Sequence, residues 1–263
     1  MVHLVQITDT HLCENFGGTL LGMDTDHSLQ CVIDCVREER GIPDALLLTG
    51  DLSDHGSGSA YSRMDAYSRQ VADAAFWLPG NHDSREEMAA ILAGSNRLSY
   101  EIRIASWQIL LLDSQVPGKV GGELGREQLT RLENSLQRGT QEGLYTLLCL
   151  HHQPVEIGCA WLDGQMVADA GEFFDIVDRH AGVKGILWGH IHQQVDCQRN
   201  GVALMASPSS CVQFAPDSEL FRVDDLAPGY RWLDLHRDGR IETGVSRVEG
   251  VQFTVDLDSK GYI

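Results

Sequence analysis

Long hydrophobic runs are missing from this chain of 263 residues: nothing approaches the ~18 consecutive apolar residues that a membrane-spanning helix needs. A secretory leader is also not expected, because Val2-His3-Leu4-Val5-Gln6-Ile7 reads as a strand with no basic stretch before it, and this points to the cytoplasm. The seven cysteines, at positions 13, 31, 35, 149, 159, 197 and 211, are odd in number and contain no C-x-x-C pair. That pattern argues against a disulfide framework or a thiolate zinc site. Cys31 and Cys35 lie one helical turn apart in an apolar helical pattern and are read as packing residues. Positive charge is scarce as well. Twenty Lys and Arg against 38 Asp and Glu leave a formal net charge of −18, so a long polyanion would meet repulsion where a binder needs counterion release. Extended nucleic acid and an anionic membrane surface are therefore not expected as partners, whereas a small phosphate ester drawn to a local cationic centre is compatible with the charge. No repeat, low-complexity tract or Pro-rich linker interrupts the chain, and one domain over 1–263 is expected, with about 248–263 as an extra strand or a peripheral tail.

What the sequence does contain is an alternation of strand-like and helix-like segments. Strands are predicted at Val2 to Thr8, Ala45 to Thr49, Phe76 to Leu78, Trp107 to Leu112, Thr146 to Leu150, Val183 to Trp188 and Val202 to Ala206. Helices are predicted at Asp24 to Arg40, from Ser59 through Ala74, at Ser84 to Leu92, Arg126 to Gln137 and Asp169 to Arg179. Asp83 is read as the cap of the third helix or as a group orienting a neighbour. In the last quarter, Arg231 to His236 and Ile241 to Val245 flank Asp238-Gly239, which signals an antiparallel hairpin.

Five short clusters carry the chemistry: Asp9-Thr10-His11, Gly50-Asp51, Gly80-Asn81-His82-Asp83, His151-His152 and Gly189-His190-Ile191-His192. Each lies at or just beyond the end of a predicted buried strand. In sheets fed by helical crossovers, ligands collect beyond the carboxyl ends of the strands, so residues remote in sequence can meet there. Oxygen and imidazole donors without thiolate suit hard or borderline divalent metals used for hydrolysis. Two such ions about 3.5–4 Å apart need a bridging anion and open positions for water and substrate, and Asp51 is the natural bridge. Asn81 adds no charge, so with Asp9 and Asp51 as the only anionic ligands the site keeps roughly two positive charges, which attract a phosphodiester and favour ionised water as the nucleophile. His82 follows a ligand, points elsewhere, and is expected to donate to a phosphoryl oxygen or to protonate the leaving alkoxide.

These motifs, D-x-H, G-D, G-N-H-D, H and G-H-x-H in that order, resemble the calcineurin-like metallophosphoesterase superfamily. Within it, the segments 6–12, 77–83, 111–116, 158–163, 211–214 and 228–233 are similar to bacterial class III 3′,5′-cyclic AMP phosphodiesterases. The resemblance covers roughly residues 5 to 245. It implies an α/β fold, a four-layer αββα sandwich of two mixed β-sheets flanked by helices, with a dinuclear site at the strand C-terminal ends. It implies one metal on Asp9, His11, Asp51 and His192 and a second on Asp51, Asn81, His151 and His190, the pair being iron or manganese, with zinc or cobalt as alternatives. His11, Asp51, Asn81, His82 and His192 would then contact the phosphate. The strand-exit position and the resemblance both favour His151 over His152, which is read as a hydrogen-bonded neighbour. Relatives often carry His or Pro where Gln153 stands, which bears on the local loop shape.

The activity this implies is hydrolysis of 3′,5′-cyclic AMP to 5′-AMP by a cytoplasmic enzyme, monomer or dimer. The alternative on the same site is a broader phosphodiesterase acting on glycerophosphodiesters or 2′,3′-cyclic nucleotides. A non-catalytic module that reuses the fold would be expected to have lost ligands, and a mononuclear oxidative iron site needs only three of them. Asp9, Asp51 and Asn81 taken singly could be turn formers; the ordered set argues otherwise. Asp113 is at most a neighbour of the site. Trp161 and Phe214 are read as loop-packing aromatics, with contact to a nucleobase as the alternative. His3, His27, His55, His180 and His236 are assigned to the surface or to ordinary structural roles.

Overall fold

The computed structural model describes residues 1–261. Strand β1 (Val2–Ile7) is followed by a small hairpin, β2 (Thr19–Leu20) and β3 (Met23–Asp24), and by helix α1 (Thr25–Arg40). Then come β4 (Ala45–Thr49), α2 (Gly58–Val71), β5 (Ala75–Leu78), α3 (Arg85–Ile91), β6 (Glu101–Ile104), β7 (Trp107–Leu111), α4 (Gly125–Glu142) and β8 (Tyr145–Cys149). The rest comprises α5 (Ala160–Asp163), α6 (Ala170–Val177), β9 (Val183–Trp188), β10 (Val195–Arg199), β11 (Val202–Ala206), β12 (Gln213–Phe214), β13 (Val223–Asp224), β14 (Gly229–Leu235) and β15 (Ile241–Arg247).

Two mixed sheets result, one ordered β15-β14-β1-β4-β5 and the other β10-β11-β9-β8-β7-β6. In each, the central strands run parallel and antiparallel partners close an edge: β14 and β15 in the first, β6 and β10 in the second. The two-residue period of a strand decides the layers. On β4, Leu46 and Leu48 pack with Leu29, Val32 and Ile33 of α1 and Met64 of α2. Ala45 and Leu47 face the other way, into a core shared with Ile109, Leu147, Leu187 and Met205 of the second sheet. On the far side, Leu110, Leu148 and Ile186 pack against Leu129, Leu132 and Leu136 of α4 and Phe173 of α6. The order of layers is thus helix, sheet, sheet, helix, the expected sandwich, and no helix among the described residues is long and apolar enough to cross a membrane.

Helix boundaries follow local chemistry. Asp24 caps α1 by accepting from the His27 N–H at 2.9 Å. At α3 the cap is Ser84, accepting from the Glu87 N–H. Asp83 instead turns its carboxylate inward to the N–H groups of Leu52, Ser53 and Gly80 and the hydroxyl of Tyr61, so of its two expected roles it fills the orienting one. Helix α4 runs five residues beyond the predicted Gln137, through Gly139, where a side chain would overlap the Gln108 amide. Strands β6 and β10 escape prediction because they are edge strands: Glu101-Ile102-Arg103-Ile104 alternates over only four residues, and β10 is polar and mostly exposed. Beyond β15, residues 249–261 form neither strand nor helix, yet the segment is tied down: Phe253 and Val255 pack on the core and the Asp256 N–H donates to Leu21 O at 2.7 Å. The final two residues of the expected tail lie outside the described residues.

Candidate active site

Parallel pairing of β1 with β4 places Asp9 and Asp51 side by side where the two strands end. Backbone pairing continues past the strands, with Asp9 N–H donating to Gly50 O at 3.0 Å and His11 N–H to Asp51 O at 2.9 Å. Strand β5 delivers Asn81 and His82 to the same edge, and β8 and β9 of the facing sheet deliver His151, His190 and His192. The sheets are stitched together there by Gln6, whose amide donates to Thr49 Oγ1 at 2.7 Å and Trp188 O at 3.2 Å.

The expected metal ligands meet in one buried cage. His151 Nε2 lies 3.1 Å from Asp51 Oδ2, 3.2 Å from Asn81 Oδ1 and 4.0 Å from Asp9 Oδ1. His192 Nε2 lies 3.4 Å from Asp9 Oδ1 and 3.2 Å from His11 Nε2, which is itself 3.9 Å from Asp51 Oδ2. His190 joins through its backbone N–H, which donates to both oxygens of Asp9. Two imidazoles are oriented by backbone carbonyls: His151 Nδ1 bonds Thr49 O and His192 Nδ1 bonds Val212 O, each at 2.8 Å. A carbonyl can only accept, so both rings carry a proton on Nδ1 and turn Nε2 into the cage.

His152 is different. Its Nδ1 pairs with Ser114 Oγ at 2.8 Å and its Nε2 with Val120 O at 2.9 Å, so neither nitrogen is left for a cation. Burial and the neighbouring His151 push its pKa down to about 3.

The backbone is strained where these side chains converge. Asp9, His11, Asp51, His190 and His192 have φ between 45° and 65°, five of the nine non-glycine residues with positive φ among those described. Each such residue costs about 1 kcal/mol or more, which persists only where surrounding structure enforces it. Left-handed turns at alternate residues fold the chain so that Asp9 and His11 face the same centre. Gly50, at φ 97°, has no room for a Cβ because the His151 ring occupies that space. The small residue before Asp51 thus admits an imidazole from the other sheet.

Electrostatics mark the cage as a cation site. Burial opposes ionisation of Asp9, and Asp51 beside it adds to that, yet His192 and His151 outweigh both and hold its carboxyl below the usual range. Burial likewise opposes ionisation of Asp51, and His151, His82 and His11 hold it well below the usual range. Burial depresses His151, but Asp51 and Asp9 overcome this and raise it to about 9. Two buried carboxylates demand a positive charge, and with protein atoms alone an imidazolium has to provide it. His190 stays neutral because burial, His152 and His151 all oppose its protonation, and its buried Nε2 has no hydrogen-bond partner. An orphaned imidazole nitrogen beside paired carboxylates, an amide oxygen and inward-facing Nε2 atoms fits divalent cations of the kind that prefer N and O donors.

The cage opens into a cleft of about 520 Å³ bordered by Asp51, Asn81, His82, His190, Lys119 and Trp161, a size suited to a small-molecule ligand. His82 is held at its rim: its N–H donates to Asp51 Oδ1 at 2.8 Å and its Nδ1 to Asp54 O at 2.9 Å. Phe214 stacks on His192 with ring centroids 4.1 Å apart, and Trp161 meets Phe214 edge to face at 5.1 Å, so these aromatics pack on the cage while Trp161 and Phe214 also line the cleft. Asp113 stands apart, in an ion pair with Arg85, and Gln115 next to it donates to Gly80 O and Asp83 O, bracing the loop that carries Asn81. Sequence reasoning passed over Asp54, whose only signal is a carboxylate three residues after Asp51.

Comparison with known proteins agrees with this geometry. Residues 2–194 match the model of the calcineurin-like phosphoesterase family. The chain is 45% identical over 99% of its length, and 95% of the relative's, to the 3′,5′-cyclic adenosine monophosphate phosphodiesterase CpdA of Pseudomonas aeruginosa. It is 41% identical to the protein of that name from Escherichia coli, with the same coverage of both chains. Among solved structures, a dimetal phosphatase from Danio rerio superposes with a TM-score of 0.62 at 17% identity over 94% of this chain and 99% of that one, a likeness of fold alone. The chain belongs to the calcineurin-like phosphoesterase family, whose members are metal-dependent hydrolases.

Proposed function

We propose that this protein hydrolyses 3′,5′-cyclic AMP to 5′-AMP with one divalent ion held by Asp9, His11, Asp51 and His192 and a second by Asp51, Asn81, His151 and His190. The observation that carries the reading is the meeting of these seven side chains, from both sheets, at the floor of one open cleft. Near full-length similarity to relatives named for cyclic AMP supports the substrate. Carboxylate, amide and imidazole donors without thiolate support iron or manganese, with zinc or cobalt as alternatives. When bound, such ions polarise a phosphoryl oxygen and supply ionised water near neutral pH.

The chain's own groups bind and orient the ester around that centre. His11, Asp51, Asn81, His82 and His192 would contact the phosphate, with Asp51, Asn81 and His82 lining the cleft itself, and the wall of Trp161, Phe214 and Phe221 offers apolar surface to the base. His82, tied to Asp51 through its backbone, protonates the departing 3′-oxygen. Seven free thiols support a reducing compartment, the cytoplasm, and a core shared by both sheets supports a single catalytic domain.

The test is a comparison of kcat/KM on the manganese-loaded protein for cyclic AMP, a 2′,3′-cyclic nucleotide, a glycerophosphodiester and bis(p-nitrophenyl) phosphate. Cyclic AMP is expected to lead the natural esters by about tenfold or more, a difference of ~1.4 kcal/mol in transition-state binding. Brisk turnover of the generic ester with none of cyclic AMP would transfer the protein to the broader class. Asn81→Ala is expected to lower bound metal from about two ions per chain to about one, because an amide oxygen 3.2 Å from His151 Nε2 is lost from one side only; metal analysis after gel filtration checks it.

A further inference from the structure

We propose that Lys119 is a substrate-binding residue, its ammonium pairing with the phosphate of the ester in the cleft. The inference rests on the functional reading above and deepens it by naming the group that captures the anion. Two carboxylates, Asp51 and Asp54, border the cleft, but among the described residues only one lysine or arginine does so, Lys119. No carboxylate of the described residues is paired with its ammonium. The turn that carries it is held from both sides. Lys119 N–H donates to Val116 O at 3.0 Å, with Gly118 at φ 74° inside the turn. Val120 O accepts from His152 Nε2 at 2.9 Å, and the Ser114 hydroxyl donates to His152 Nδ1 at 2.8 Å. Beyond it, Glu123 N–H donates to Ser114 O, and Gly122 O accepts from the Ala168 N–H. A Cβ at Gly122 would lie 2.6 Å from the His152 ring. The buried histidine that has no nitrogen left for a cation therefore clamps the turn bearing Lys119 to the wall of the cleft.

The physical consequence follows from charge. A net charge of −18 opposes the approach of any phosphate ester, and the cage that attracts the ester lies at the floor of the cleft. A cation at the border acts on the anion before it arrives and holds it once there. Lysine suits this task, because its ammonium is a compact charge on a flexible stem. In a partly solvated cleft such a pair contributes about 3- to 10-fold in binding. It forms with the ground state as well as with the transition state, so it belongs in KM rather than kcat. Salt screens it, since the Debye length falls from ~10 Å at 0.1 M to ~3 Å at 1 M.

The experiment combines steady-state kinetics on cyclic AMP and bis(p-nitrophenyl) phosphate with calorimetric binding of inorganic phosphate, all on the manganese-loaded protein. Lys119→Ala is expected to raise KM for both esters about 3- to 10-fold with kcat within about twofold, and to weaken phosphate by a similar factor. Lys119→Glu should go about tenfold further, and Lys119→Arg, which keeps the charge, should restore most of the binding. The losses should shrink as NaCl is raised from about 0.05 to about 0.5 M. Lys184→Ala removes the same charge far from the cleft, where that lysine lies over the Tyr145 ring, and should match the wild type, which separates position from net charge. Lys119 is exposed, so equal unfolding midpoints and unchanged bound metal are expected in every variant. Unchanged KM and phosphate affinity in Lys119→Ala overturn the assignment, as does an effect no larger than that of Lys184→Ala. A loss confined to cyclic AMP, with phosphate bound as in the wild type, also overturns it, because the contact would then be with the nucleoside. Phosphate and the generic ester carry no adenine, so a full Lys119 effect in a protein that leaves cyclic AMP intact sinks the substrate reading alone.

Discussion

Asp51→Asn is expected to lower turnover of cyclic AMP by at least about 10³-fold and to leave less than one tightly bound metal ion per chain. Asp51 is the residue on which both halves of the cage lean: its Oδ2 meets His151 and His11, and its Oδ1 accepts the His82 N–H. The substitution preserves shape, and asparagine tolerates the left-handed backbone that Asp51 adopts at φ 50°. What it removes is the charge. The size of the effect comes from the water chemistry forfeited with the metals, since a bound divalent ion lowers the pKa of water from ~15.7 to about 7. Stability separates this from damage to the fold. Because histidines hold Asp51 well below the usual carboxylate range despite its burial, its charge stabilises the metal-free fold at neutral pH, so the midpoint in chelator should fall somewhat, and the gain in midpoint that metal confers on the wild type should disappear, because stabilisation by a ligand follows its binding to the native state. Metal analysis, steady-state kinetics and thermal unfolding with and without Mn²⁺ check the three parts. Two retained ions with turnover within tenfold of wild type would falsify the bridging role.

The residues of the cage were legible in the sequence because each follows a short buried strand. Hydrophobic runs such as Leu46-Leu47-Leu48 and Ile186-Leu187-Trp188 announce strands covered on both faces, and polar residues at their exits must then gather along one edge. The parts that were not legible depend on contacts remote in sequence. Nothing in the local text says that Gly50 makes room for an imidazole from the second sheet, or that Asp83 turns away from its helix to collect three N–H groups. Arg231 reads as an ordinary cation in a strand, yet it is wholly buried, donating to Asp196 and to the carbonyls of Ala206 and Val195 so that the first sheet is bonded to the edge of the second. Edge strands β6 and β10 escaped for the opposite reason: β6 alternates over only four residues, too short a run to stand out, and β10 has no buried residue to mark a face. Asp54 escaped because a carboxylate in a Gly- and Ser-rich loop is indistinguishable from a turn former until folding brings the His11 ring against it.

His82→Ala is expected to reduce kcat for cyclic AMP about 10²-fold or more, with both metal ions retained and KM changed only a few-fold, the pattern of an interaction made chiefly in the transition state. Its backbone N–H survives the substitution, so Asp51 Oδ1 keeps its partner at 2.8 Å and the cage should stand. The ring is lost from the cleft rim, where it is 18% exposed and outside the set of seven ligands. Two roles for that ring make different demands on the substrate. A group that protonates the leaving oxygen matters most for an alkoxide such as the ribose 3′-oxygen and little for p-nitrophenolate, which departs without a proton. A group that hydrogen-bonds a phosphoryl oxygen matters for both. Comparing the loss in kcat on cyclic AMP with that on bis(p-nitrophenyl) phosphate therefore assigns the role: a deficit confined to the cyclic nucleotide identifies the general acid, and an equal deficit moves His82 onto the phosphoryl oxygen. Unchanged turnover of both esters would remove His82 from the reaction and leave proton delivery to another group lining the cleft.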